Sequence, residues 1–274
     1  MGGACPWRPW PYQYVSMKLY SLFSVTWPAL ATACLFPAVA AVAAEPDADQ
    51  LLRRMTDTLA AAKSLSFSAT REMDAALLEG RQLAEKATVT VVVQRPDKIA
   101  ATAESRNGTR RIVSDGSTLS LLDVNANHYA TLPMRASIDS LVARLDDKYG
   151  FTPPLAEFAL NDPYAGFRSN ARTVTYLGRA KTRGGFLGLG GVECHRLGLQ
   201  GPLANAELWI GVADNLPRQL IATFNRADRP QLKIRFSRWN LGAPVSAADF
   251  AFSPPKGAEK IELWSTARME AAAR

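Results

Sequence analysis

An α+β fold built on one long antiparallel sheet is what this sequence predicts, and three observations carry that expectation. First, turn signals fall at short intervals through Gln82 to Met134: Pro96-Asp97, Asn107-Gly108 and Asp115-Gly116. Asn-Gly and Asp-Gly tolerate the positive φ of two-residue hairpin turns, and Pro-Asp suits a type I turn. Second, the runs between these turns alternate apolar and polar residues, the pattern of a sheet with one wetted face. Third, two segments switch to helical spacing, which fits helices laid on one face of a sheet.

In chain order, the first 44 residues read as an export signal. Lys18 precedes a long apolar run from Leu19 to Ala44 that ends in small residues, and acidic sequence begins at once with Glu45-Pro46-Asp47. A positive start, an apolar middle and a small-residue end match a cleaved secretory signal peptide. Met17 is then the natural start, and the mature chain begins near Glu45. The alternative is an uncleaved anchor, since the run is long enough to span a bilayer; Pro28, Pro37 and the Ala-rich end favour cleavage. Beyond it, residues 45–265 are expected to form one domain, with a frayed tail over 266–274.

Asp47 opens an amphipathic helix in which Leu51, Leu52, Met55, Leu59 and Ala62 share a face, and Gln50 stands where a capping box places its last member. The period then drops to two. Leu65, Phe67 and Ala69 alternate with Ser66, Ser68 and Thr70. The central meander follows as Ala87 to Gln94, Lys98 to Ser105, Thr109 to Ser114, Thr118 to Val124 and His128 to Leu132. A second helix is expected over Ser137 to Tyr149, with Ile138, Leu141, Val142, Leu145 and Tyr149 on one side, and Pro153-Pro154 breaks it. A short apolar piece, Leu155 to Leu160, leads into Asn161-Asp162-Pro163-Tyr164. Strands resume over Thr173 to Ala180, Val192 to Leu199, Ala206 to Val212, Arg218 to Asn225 and Gln231 to Asn240. Phe250, Phe252 and Pro254-Pro255 close the domain.

Composition narrows the chemistry. The chain of 274 residues carries a formal +7, of which Arg8 and Lys18 lie in the signal. The remaining Lys and Arg are scattered, without the stripe that tracks a phosphate backbone, so nucleic acid is not an expected partner. Cys194 is the one cysteine beyond the signal, so no internal disulfide is available. His128 and His195 lie in different strands, and no nucleophile or ligand set joins either of them. Cys194 and His195 are strand neighbours that point to opposite faces. Asp146 and Asp147 likewise diverge around a helix. No catalytic residue, metal ligand or cofactor is therefore assigned. Gly184 to Gly191 lacks the Lys-Ser/Thr ending of a phosphate loop and reads as a hairpin loop; its Phe186, Leu187 and Leu189 could touch a membrane surface or partner. Asn107-Gly108-Thr109 matches a glycosylation acceptor but is explained by the turn.

Particular residues carry a family resemblance. Arg95-Pro96-Asp97-Lys98, with Ile112-Val113-Ser114-Asp115-Gly116-Ser117-Thr118-Leu119, resembles the RPxK and DGxxL core of the bacterial lipoprotein-carrier superfamily of LolA, LolB and RseB-like proteins. Cys194-His195, Leu208-Trp209-Ile210, Leu216-Pro217-Arg218, Phe236-Ser237-Arg238-Trp239-Asn240 and Phe252-Ser253-Pro254-Pro255-Lys256-Gly257-Ala258 are similar to a family of predicted periplasmic proteins, a domain of unknown function, within it. The resemblance implies a strongly curved, unclosed half-barrel whose concave face is covered by helices. It implies a periplasmic, non-catalytic binding protein for an acyl chain, lipid or lipoprotein, acting as a monomer. The alternative is an RseB-like regulatory or envelope-assembly protein that acts through a protein partner. Strand alternation nominates Phe67, Val91, Val93, Ile99, Leu208, Ile210, Phe224, Ile234 and Phe236 as the apolar wall, with Leu141, Leu145 and Phe158 as its cover.

Overall fold

The computed structural model describes residues 45–78, 84–153, 155–183, 190–266 and 268. The expected signal peptide, most of the glycine-rich loop and most of the tail lie outside the described residues. Helix α1 (Ala48–Ala61) starts where Asp47 accepts hydrogen bonds from the backbone N–H groups of Asp49 and Gln50. That carboxylate satisfies donors the first helical turn leaves open and complements the helix dipole. Leu51, Leu52, Met55 and Leu59 are buried, and Thr56 joins them by turning its hydroxyl back onto Leu52 O and Arg53 O.

Strand β1 (Ser64–Met73) runs through the middle of the molecule. On one side it begins the meander β2 (Glu85–Gln94), β3 (Lys98–Ser105), β4 (Gly108–Asp115), β5 (Thr118–Asp123) and β6 (His128–Pro133). On the other it pairs with β11 (Gln231–Leu241), followed outward by β10 (Pro217–Phe224), β9 (Ala204–Gly211), β8 (Glu193–Gln200) and β7 (Thr173–Lys181). The β1–β11 ladder, from Leu65 opposite Leu241 to Met73 opposite Leu232, therefore fuses the two halves into one sheet. A two-residue strand β12 (Glu259–Lys260) adds in parallel to β6, giving twelve strands among the described residues in a curved sheet that does not close.

The turns differ in detail from the expectation. Ser105 pairs with Gly108, so Arg106 and Asn107 occupy the loop and Gly108, at φ +123°, opens β4. A Cβ on Gly108 would also meet the Asn125 side chain at 2.6 Å, so glycine is required there twice over. After β4, Asp115 receives the N–H groups of Ser117 and Thr118 on one carboxylate oxygen, and Gly116 takes φ +90°.

The apolar faces of α1 and of α2 (Ile138–Tyr149) pack with the inward residues of the strands in one core. Ser137 caps α2 at its start, and Gly150, at φ +65°, ends it. A third helix, α3 (Pro163–Asn170), was not anticipated; Asp162 accepts from Ala165 N, and Pro163 fills the first position. The outer face is also less wet than alternation implies. Val113, opposite Ala100 in register, is buried at 2 % exposure although it points away from the Ile112 side. The 3-10 turn Ala247–Phe250 lies against β3 and β4 there, with Phe250 fully buried.

Candidate functional site

The structure buries most of the residues nominated as wall and cover together in one core. Phe67, Val91, Val93, Ile99, Leu208, Ile210, Ile234 and Phe236 are buried with Leu141, Leu145 and Phe158, while Phe224 is half-buried. Phe158 meets Phe236 edge-on with centroids 4.5 Å apart, and Phe236 meets Phe67 at 5.8 Å. A register shift in the β1–β11 ladder opposite Ser66 and Ser68, with Arg238 at φ +55°, turns Trp239 inward. Its ring stacks on Phe67 at 4.4 Å and its indole N–H donates to Pro217 O. In this part of the trough the helical cover fills the space between itself and the wall.

Two polar residues hold that cover down. The Arg95 guanidinium, from the RPxK segment, donates to Leu59 O and Ala62 O at the end of α1. It also donates to Ala159 O, Leu160 O and Asn161 Oδ1 beyond the 3-10 turn Ala156–Phe158. Burial holds the Arg95 pKa below its ordinary value, and Asp139 acts in the opposite sense. Asp139, in the first turn of α2, accepts from the N–H groups of Asn161 and Asp162 and so fixes the entry to α3. Helix α3 is tied to α1 by the Tyr164 hydroxyl, 2.9 Å from Asp49, with the Arg53 guanidinium 3.8 Å over the Tyr164 ring.

Where α3 and the 3-10 turn bridge β8, β9 and β10, a cavity of about 110 Å³ remains, open to solvent on one side. Small side chains account for it. Ala206 and Ala222 face each other across β9 and β10, Leu199 flanks Ala206 on β8, and Gly166 stands on the helix above. A Cβ on Gly166 would come within 2.5 Å of Leu160, so the helix sits close to the turn there. Phe158 and Phe167, 5.2 Å apart, form one wall, and Leu203, 37 % exposed, lies at the mouth. Of the nominated residues only Phe158 lines this cavity. Phe167 lies on α3 itself, and Leu199, Leu220 and Ala222 lie beneath it, so strand alternation alone does not mark them; Asp162-Pro163, a cap followed by a first-position proline, is the sequence signal for that helix.

Glu157 is the charged residue of the lining. Burial pushes its carboxyl above the ordinary value, and the hydrogen bond it accepts from its own backbone N–H only partly opposes this. Elsewhere Cys194 is fully buried, its thiol pushed up to about 11 chiefly by desolvation. His195 is also buried, with Nδ1 3.2 Å from the Tyr176 hydroxyl and a pKa lowered by desolvation. Among the described residues no cluster of His, Cys, Asp and Glu is placed to hold a metal ion, and no helix is long and apolar enough to cross a membrane.

MucB of Pseudomonas aeruginosa, solved with MucA, shares 14 % identity over 76 % of this chain and 62 % of its own, at a TM-score of 0.41. A LolA superfamily protein of Nitrosomonas europaea shares 10 % identity over 73 % of this chain and 97 % of its own, at 0.36. A DUF1329 family protein of Desulfovibrio piger shares 9 % over 74 % of this chain and 95 % of its own, also at 0.36. The chain thus spans about three-fifths of the MucB length, 62 % of that chain. No curated protein sequence matches. A family model matches residues 48–264, which take in the described sheet and helices α1, α2 and α3, and by that match the chain belongs to the predicted periplasmic protein family DUF2092.

Proposed function

We propose that this protein is exported to the periplasm and binds, without catalysis, the apolar part of an acyl-bearing ligand in the cavity beneath α3. The observation that carries this reading is the cavity itself: a solvent-open space of about 110 Å³ on the covered face, walled by Phe158, Phe167, Leu199 and Leu220. Mostly apolar concavities with a few polar groups are where small ligands are held. The enclosed space is somewhat below the ~150 Å³ void that accommodates a benzene. It therefore encloses the end of a chain, and the rest of the ligand lies past Pro202 and Leu203 at the mouth. Membership of a family described as periplasmic, together with the signal-like residues 1–44, supports export.

The test is binding of an environment-sensitive acyl-chain probe with an uncharged head to the exported protein, alongside mass spectrometry of whatever lipid co-purifies. Wild type should bind the probe. Ala222→Phe, which fills the cavity, should lose that binding while keeping a cooperative thermal transition. If wild type binds no probe and carries no lipid, or if Ala222→Phe binds as well as wild type, the reading is wrong.

A further inference from the structure

Several acidic side chains have cationic partners. Asp49 meets Arg53 and Arg168, Glu85 meets Arg71, Asp123 meets Arg110, and Glu207 meets Arg196. Glu157 does not. Among the described residues no Lys, Arg or His forms an ion pair with it, and its carboxylate oxygens keep contact with solvent at the cavity. It stands half-buried on the wall of a cavity otherwise built from Phe, Leu, Ala and Pro side chains with one amide, Asn170. One Asn170 amide N–H is given to Gly166 O at 3.1 Å.

A half-buried carboxylate beside apolar surface is only partly hydrated and lacks a counter-charge here, so a cationic partner would gain more from it than from a fully exposed acid. A metal ion is a poor candidate, because calcium and magnesium take six or more oxygen ligands and the cavity offers one carboxylate. A compact monovalent cation with an apolar tail matches both the single charge and the small enclosed volume. We infer that the cavity takes an alkylammonium group, its primary ammonium on the Glu157 carboxylate and its chain against Leu199, Leu220 and Ala222. This rests on the reading of the cavity as the ligand site and names the head group that site prefers.

The experiment compares n-hexylammonium, n-hexanol and hexanoate by titration calorimetry on the exported protein at about neutral pH. The three share a chain and differ in charge, so the chain's contribution cancels. A charge-assisted hydrogen bond in a half-buried site should favour the ammonium over the alcohol by roughly tenfold or more, with hexanoate weakest. Glu157→Gln keeps the side-chain shape, and there ammonium and alcohol should bind alike. Ala222→Phe should remove both. Equal binding of ammonium and alcohol to wild type overturns the inference while leaving the cavity as a ligand site. Ammonium binding that survives Ala222→Phe places the cation elsewhere and also overturns it. Failure of all three ligands removes the cavity reading and the inference together. Should Glu157→Gln not fold, the wild-type order of the three ligands still decides.

Discussion

Replacing Arg95 by Met tests how the helical cover is held. The substitution keeps an apolar stem of similar reach and removes a guanidinium bonded to four backbone carbonyls and the Asn161 side chain. Hydrogen bonds to a charged group each contribute about 1.5–3 kcal/mol, and a buried carbonyl left unpaired costs a similar amount. These contacts share one group and are not additive. Leu160 O and Ala159 O lie beyond the 3-10 turn, where the chain can relax toward solvent. Leu59 O and Ala62 O end α1, where a cation also complements the helix dipole by about 0.3–1 kcal/mol. A net loss of about 3–4 kcal/mol is expected, near the top of the usual range for single substitutions. For a domain of this size each kcal/mol moves the melting temperature by roughly 2–4 °C, so Tm should fall by about 10 °C in a far-ultraviolet circular dichroism melt. Arg95→Lys, which can reach only some of the carbonyls, should fall between. A Tm for Arg95→Met within about 3 °C of wild type, given that same scaling, would refute the clasp and leave packing of Phe158 on Phe236 as what holds the cover.

Four further outcomes are expected. Cys194, buried and with its thiol pushed up to about 11, should react with a thiol reagent far more slowly in native protein than in denaturant; equal rates would contradict its burial. Glu157 has a folded-state pKa above its ordinary value, so the folded protein loses stability as pH rises from about 4.5 through that raised pKa. The Tm advantage of Glu157→Gln should accordingly grow from acid to neutral pH, and a pH-independent difference would remove the desolvation argument. Ile210→Asp, at a fully buried position outside the cavity, should unfold the protein, whereas Leu220→Asp, half-buried at the cavity, should keep a cooperative melt. Similar melts for the two variants would contradict the placement of the cavity. Intact mass of exported protein should correspond to a start near Glu45, and retention of residues 19–40 would mean an anchored chain.

The sheet was legible because alternation is a local property that survives whatever the strand later pairs with. Val89, Val91 and Val93, or Leu232, Ile234 and Phe236, announce one face from sequence alone, and the structure places them on it. The same rule fails at Trp239, which strict alternation sends outward, because the bulge at Arg238 adds a residue that no local pattern announces. Helix α3 was hidden for a different reason. It has eight residues and buries only Pro163 and Phe167, too little periodicity to register.

The candidate site was the least legible part, and the cause is physical. A wall nominated by large apolar residues is a list of what fills space, and Phe67, Phe236 and Phe158 fill it by packing on one another. A cavity forms where side chains are small, at Ala206, Ala222 and Gly166, and an alanine in a strand carries no sign of whether its neighbours will reach across it. The family-like motif points the same way. Arg95 of the RPxK segment is used to clamp backbone carbonyls of α1 and the 3-10 turn, so its presence in the sequence reports how the cover is retained and says nothing of the ligand. Specificity has to come from residues free of such duties. On the covered face Glu157, an acid inside a short run that reads as apolar, is free of such duties, and it is the placement of α3 over the turn that sets it at the cavity.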